Sequence, residues 1–295
     1  MDYIISCCST LDVSLEHLKE SGLEYIGFHY VVNGEQHIDD LGQKIPFSKF
    51  YEEIKKGANT STSQISIGEY EDYFKKLMSS GKDLIHISLS TGISSTYQSA
   101  CAAAENIRTQ FPDQKLYVVD SLCASSGYGL FMDLLSEKRS RGMSIDDLFI
   151  WANEHKKSVS HWFCSTDLSY FVKGGRISKT SGVIGGIFEI CPVMDVTPEG
   201  KLEVIKKIRT KKKGLTELVN KMEEHAIGGL DYSGPCYISH SECIEDAKFV
   251  KDLILKRFKK VEDVKIFYIG TTIGSHTGLG TTALFFIGDK RENAK

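Results

Sequence analysis

Ser88–Ser99 reads SLSTGISSTYQS, a run in which Ser88, Ser90, Thr91, Ser94, Ser95, Thr96 and Ser99 carry aliphatic hydroxyls and no residue is charged. The segment Asp83–Ile87 leads into it and a small-residue stretch beginning at Ala100 follows, a pattern of strand, glycine-containing turn and helix start. A helix N-terminus presents unpaired N–H groups and a partial positive charge, and hydroxyls beside it both donate and accept hydrogen bonds. Such a place suits a small anion, a carboxylate or a phosphate. The same hydroxyls also serve as ordinary helix caps, so this segment alone leaves both readings open.

Two further segments carry chemistry. Gly174-Gly175-Arg176 sets a permanent cation beside residues that let the backbone approach a ligand closely, although a glycine-capped helix end gives the same pattern. In Gly274-Ser275-His276-Thr277-Gly278-Leu279-Gly280, an imidazole in a predicted loop offers a hydrogen-bond donor or a titratable base; a hydrogen-bonded loop histidine is the plainer alternative. The nucleotide-binding pattern GxxxxGK[ST], a dinucleotide fingerprint, a GxSxG nucleophile elbow and HExxH are all missing. These residues favour a binder over a catalyst, with no cofactor and no metal. A serine esterase or acyl transferase using Ser94 as nucleophile and His276 as base is the enzymatic alternative, since such groups need only meet in space. The basic runs Lys206–Lys213 and Lys256–Lys260 read as solvated faces or as a docking surface for an acidic partner. The latter underlies a third reading, a non-catalytic sensor or interaction protein.

The elements that must position these groups alternate along the first half. Predicted strands are Tyr3–Ser6, Tyr25–Val31, Leu84–Ser88 and Leu116–Val119. Predicted helices are Ser14–Glu20, Phe47–Lys55, Gly68–Ser79, Ser95–Thr109, Ala124–Arg139 and Ile145–His155, which together imply a mostly parallel sheet with helical crossovers. Ligands gather in the loops after such strands. Three neutral polar loops, Thr60–Gln64, Ser88–Thr96 and Asp120–Gly127, are expected to converge there. The second half predicts strands at Val159–Ser165, Cys191–Val196, Leu202–Ile208, Cys236–Ser239, Val264–Ile269 and Thr282–Ile287. Helices are expected at Leu168–Val172, Leu215–His225 and Ile244–Phe258, and a loop over Gly270–Thr281. This is a mixed sheet, and the predicted division is an N-terminal α/β domain over 1–157 and a C-terminal α/β domain over 158–295. The 295 residues carry a net charge of −3, which argues against a nucleic-acid binder. Eight cysteines without metal spacing, and no long apolar run, predict a reduced, cytoplasmic protein with at most transient membrane-surface contact.

Taken together and in order, five segments resemble the DegV family of bacterial fatty-acid-binding proteins. They are Thr62-Ser63-Gln64, Ser88–Ala100, Val118-Val119-Asp120-Ser121, Gly175-Arg176-Ile177-Ser178-Lys179 and His276–Gly280. The resemblance implies a two-domain α/β fold with a long-chain fatty acid between the domains. It implies that the carboxylate meets hydroxyls of Thr62, Ser63, Ser94 and the adjoining Ser95, with His276 and Thr277 nearby, while the tail enters an apolar tunnel in the C-terminal domain. It also implies a partner, a separate fatty acid kinase that makes the acyl-phosphate, with Arg176 supporting phosphoryl transfer. The chain departs from the family pattern at Cys8, where an aspartate is frequent, at Ile65 for a proline, at Ser95 for a glycine and at Cys191 for a lysine. The last three bear on loop shape and partner contacts, and they leave the implied carboxylate hydroxyls in place.

Overall fold

The computed structural model describes residues 3–178 and 190–291; Lys179, part of one motif above, lies outside them. The N-terminal half holds a parallel sheet of β1 (Tyr3–Cys8), β2 (Glu24–Ile26), β6 (Asp83–Ser88) and β7 (Leu116–Asp120) in the order β2-β1-β6-β7. Around it lie α1 (Leu15–Glu20), α3 (Ile67–Met78), α4 (Thr96–Arg108), α5 (Ser125–Ser140) and α6 (Ile145–His155). β1 and β6 read as nearly continuous buried runs because helices cover both faces of the sheet. α3 starts cleanly because Ser66 and Glu69 form a reciprocal capping box.

A second, antiparallel sheet in this half comprises β3 (His29–Val32), β4 (Glu35–Ile38) and β5 (Thr60–Ser63), in the order β4-β3-β5, with α2 (Phe47–Lys55) over it. This corrects two expectations. The predicted strand Tyr25–Val31 is divided between β2 and β3, and the break falls at Gly27, where Ile38 and the Asp39 carbonyl occupy the space a side chain would need. Thr60–Ser63 is a strand, not a loop. Its all-hydroxyl sequence hides the alternation, yet Thr60 and Thr62 face one side while Ser61 and Ser63 are exposed on the other.

The C-terminal half is a six-stranded mixed sheet, ordered β10-β9-β8-β13-β11-β12. Its strands are β8 (Val159–Cys164), β9 (Ile190–Val196), β10 (Leu202–Arg209), β11 (Cys236–His240), β12 (Lys265–Tyr268) and β13 (Thr282–Ile287). α8 (Lys211–His225) and α9 (Ile244–Arg257) cover one face. Period-two alternation sorts β13: Leu284 and Phe286 join the core under those helices, whereas Ala283 and Phe285 face α5 and the larger core shared by both halves. α7 (Ser169–Lys173) ends at Gly174, and α10 (Thr271–Thr277) replaces the expected loop. Among the described residues no helix is long and apolar enough to cross a membrane.

Candidate functional site

The loop after β6 is held from below. Asp120 Oδ1, at the end of β7, accepts the N–H groups of Thr91 (3.1 Å) and Leu122 (3.0 Å), and Ser94 Oγ accepts the Thr96 N–H at 3.3 Å where α4 begins. From the other half, the turn between β9 and β10 presses on the same loop: Ser90 Oγ donates to the Gly200 carbonyl at 2.8 Å. A side chain at Gly92 would meet the Gly200 backbone at 2.4 Å, so only glycine permits this approach.

Opposite the loop, β5 presents Thr62, whose Oγ1 shares a 2.7 Å hydrogen bond with His276 Nε2 on the last turn of α10. Thr60 Oγ1 fastens the same helix by donating to the Ser275 carbonyl at 3.1 Å. The imidazole also lies so close to Gly174 that any side chain there would strike Nδ1. Burial, assisted by the nearby Arg176 guanidinium, lowers the His276 pKa from 6.5 to about 4, which keeps the ring neutral at neutral pH. Arg176 Nη1 donates to the Gly174 carbonyl at 2.5 Å, and burial disfavours its charge. Among the described residues no carboxylate lies within ion-pair distance of it.

Two adjoining spaces result. A polar cup is lined by Thr62, Gln64, Thr91, Gly92, Ser94 and Ser95, together with Phe28, Ile93 and Arg176. A mainly apolar cavity runs between the halves, lined by Phe163, Phe171, Val196, Leu202, Ala283 and Phe285 among others. Ile93 and Arg176 line both, so the cup and the cavity adjoin at the Arg176 guanidinium. The arrangement can hold an anionic head by neutral hydroxyls and one guanidinium while an attached hydrocarbon leaves water.

Of the residues singled out by sequence, Thr62, Ser94, Ser95 and Arg176 meet at the cup. His276 joins through Thr62 and also lines the apolar cavity, as does Thr277. Ser63 points to the opposite face of β5 from Thr62 and is not among the cup residues. His276 bonds Thr62, not Ser94, so the described residues contain no Ser94–His276 hydrogen bond of the kind a nucleophile and its base require.

Of the three loops expected to converge, two line the cup, while the third supports it through Asp120 and lines the adjoining cavity through Ala124 and Ser125. Ser125, from the third, donates to the buried Asp12 carboxylate at 2.5 Å and lies 3.1 Å from Ser239 Oγ, on the wall of the apolar cavity. Sequence reading missed Phe28 at the cup, and had Gln64 there only as the end of the Thr60–Gln64 segment. It also missed Asp12 and Asp39, whose contacts lie far away along the chain. The basic runs are partly paired: Lys206 with Glu217 (2.7 Å), Lys211 with Asp246 (2.5 Å) and Lys260 with Asp231 (3.0 Å). All eight cysteines are free, and six are buried.

Comparison with known proteins gives a consistent result. The DegV family model matches residues 5–289. A DegV domain-containing protein of Lactococcus lactis is 34% identical over 98% of this chain and 99% of its own length. The crystal structure of DegV from Bacillus subtilis, described as a fatty acid binding protein, is 26% identical and superposes with a TM-score of 0.82, covering 98% of this chain and 100% of that one. A DegV family protein from Ruminococcus gnavus, solved with vaccenic acid, is 21% identical with a TM-score of 0.84 over 97% of this chain and 99% of its own.

Proposed function

This chain belongs to the DegV family, and from that premise we propose that it binds a long-chain fatty acid and presents the carboxylate to a separate fatty acid kinase for acyl-phosphate formation. The observation that carries the reading is the junction at Ile93 and Arg176, where a hydroxyl-lined cup adjoins an apolar cavity. An amphipathic acid matches both chemistries. The B. subtilis relative, described as a fatty acid binding protein, and the vaccenic-acid complex of the R. gnavus relative support the same ligand class.

The energetics divide the roles. Burying ~12–15 methylenes at ~0.8 kcal/mol each gives on the order of 10 kcal/mol of gross stabilisation, before the losses of ordering and association. The tail therefore dominates affinity. The carboxylate loses its hydration and must regain hydrogen bonds, which Thr62, Ser94 and the neighbouring hydroxyls supply without a full counter-charge. That leaves one carboxylate oxygen nucleophilic enough to accept a phosphoryl group, with Arg176 at the rim to balance charge in the partner complex.

Mass spectrometry of protein purified from a bacterial host, native and after organic extraction, tests the reading. A stoichiometric fatty acid supports it. Protein that arrives empty and takes up no added fatty acid overturns it.

A further inference from the structure

α10 belongs by sequence to the C-terminal half, between β12 and β13, yet its polar attachments are mainly to the other half. The N–H of Gly270, its N-cap residue, donates to Asp12 Oδ1 at 2.9 Å. Thr272 donates through Oγ1 to Asp39 Oδ2 at 2.6 Å, and its N–H lies 3.4 Å from the same oxygen. Tyr51 OH donates to the Ile269 carbonyl at 2.7 Å, just before the helix. Both carboxylates are buried, at 2% and 1% exposure, and among the described residues neither has a cation within ion-pair distance.

Buried carboxylates without counter-ions are costly, and their hydrogen bonds are what offsets that cost. Here those bonds converge on the start of a seven-residue helix whose sequence, Thr-Thr-Ile-Gly-Ser-His-Thr, has poor intrinsic helix propensity. The helix is too short to be stable by itself. It is pinned at its first turn by Asp12 and Asp39 and at its last by Thr60 and Thr62, and His276 lies in that last turn. Asp39 is also tied to the cup wall, because its N–H donates to the Phe28 carbonyl at 2.8 Å and Phe28 lines the cup. Asp12 reaches the apolar cavity through Ser125.

We propose that Asp12 and Asp39 are positioning residues for the ligand site, a two-point clamp from the N-terminal half that sets α10 so that His276 meets Thr62 at the junction of cup and cavity. Neither touches the ligand; both act through the helix. The inference rests on the fatty-acid reading of the site for its affinity readout, and on the imidazole of His276 for a readout independent of it.

The test is a double-mutant cycle. Palmitic acid binding is measured for the full chain, for Asp12→Ala and Asp39→Ala, and for each in a His276→Ala background, with the His276 ring resonances followed by NMR. The expected result is a loss of about tenfold in affinity for each alanine variant, the effect of one lost buried hydrogen bond. The His276 resonances shift, most of the affinity returns in Asp12→Asn and Asp39→Asn, and no further loss occurs when His276 is already alanine. An equal loss in both backgrounds, or His276 resonances unmoved by either substitution, overturns the clamp. If the alanine variants do not fold, Thr272→Val, which removes only the hydroxyl donor to Asp39, is held to the same criteria. Should the unsubstituted protein take up no palmitic acid, the fatty-acid reading fails, and the His276 resonances alone decide the clamp.

Discussion

Thr62 and His276, 214 positions apart, share a 2.7 Å hydrogen bond that joins β5 of the N-terminal half to α10 of the C-terminal half. Because burial and the Arg176 charge lower the His276 pKa to about 4, this contact is made by a neutral ring. A neutral ring holds a carboxylate by hydrogen bonding, not as an ion pair. Fatty-acid affinity is therefore expected to stay flat from about pH 5.5 to 7, without the decline through about pH 6.5 that an ordinary imidazolium gives. Thr62→Val is expected to weaken binding by about tenfold, the scale of one buried hydrogen-bond partner left unmatched. A pH titration of the dissociation constant checks both; a midpoint near 6.5 would show that a charged His276 does the holding.

Asp12 gives a prediction of opposite character. Burial pushes its pKa up to about 8, while the Ser125 and Gly270 hydrogen bonds pull it down. A carboxyl whose folded pKa is raised stabilises the fold fully below its unfolded value near 4, and that contribution is lost as pH rises towards 8. Asp12→Asn cannot ionise and removes this decline. Relative to the parent protein the variant is expected to gain stability with rising pH, on the order of a few kcal/mol across the window. Denaturant unfolding of both proteins between about pH 5 and 9 measures it, and parallel stability curves would contradict the assignment.

Where local pattern determined structure, sequence sufficed. The helices Phe47–Lys55 and Ile145–His155 and the strand Thr282–Ile287 agree at both ends, since each carries its own periodicity and the second has Ser144 as a capping residue. The failures share a cause. α10 combines β-branched residues with a glycine and is helical because Asp12, Asp39, Thr60 and Thr62 hold it from outside. β5 has no apolar face to reveal its period; the family resemblance pairs Ser63 with Thr62, and strand alternation sends Ser63 the other way. Single aspartates such as Asp12 and Asp39 give no local signal, because their partners stand 258 and 233 positions away.

The closure of the cup from above depends on Gly92 lying on Gly200. A methyl group at Gly92 would meet backbone atoms at 2.4 to 2.7 Å, which no rotamer change relieves. Gly92→Ala is expected to destabilise the protein by about 1–3 kcal/mol, the usual cost of overpacking, and to speed ligand loss by moving the loop that carries Ser94. Gly68→Ala, which has open space around it on α3, serves as the control and is expected to be neutral or slightly stabilising. Equal behaviour of the two variants in thermal unfolding and lipid exchange would remove this contact from the argument.

Arg176 separates binding from transfer. Its guanidinium bonds the Gly174 carbonyl and faces both spaces without a carboxylate partner among the described residues. With affinity dominated by the tail, Arg176→Ala is expected to change fatty-acid retention by no more than about threefold. Acyl-phosphate formation with a competent kinase should fall by about a hundredfold, as when one donor to developing charge is removed. Equal loss of both would place Arg176 in ground-state binding.

The wall of the apolar cavity gives the most direct control over ligand length. On β13, Ala283 is the small residue between Thr282 and Leu284, and it faces the cavity with Phe285 while its neighbours on the strand face the other way. Enlarging it fills space the acyl tail would occupy without touching Thr62, Ser94 or Arg176, which line the cup. Ala283→Phe is thus expected to shift the bound population to shorter acids, each excluded methylene removing about 0.8 kcal/mol of tail burial, with the head-group contacts intact. Mass spectrometry of lipid extracted from the two proteins, loaded from the same mixture of chain lengths, reads the shift. Strain from the larger side chain is controlled by Ala283→Val, which should move the distribution in the same direction by less. An unchanged distribution in a folded Ala283→Phe protein would mean that the tail does not run beside β13, and the cavity between the two halves would lose its role.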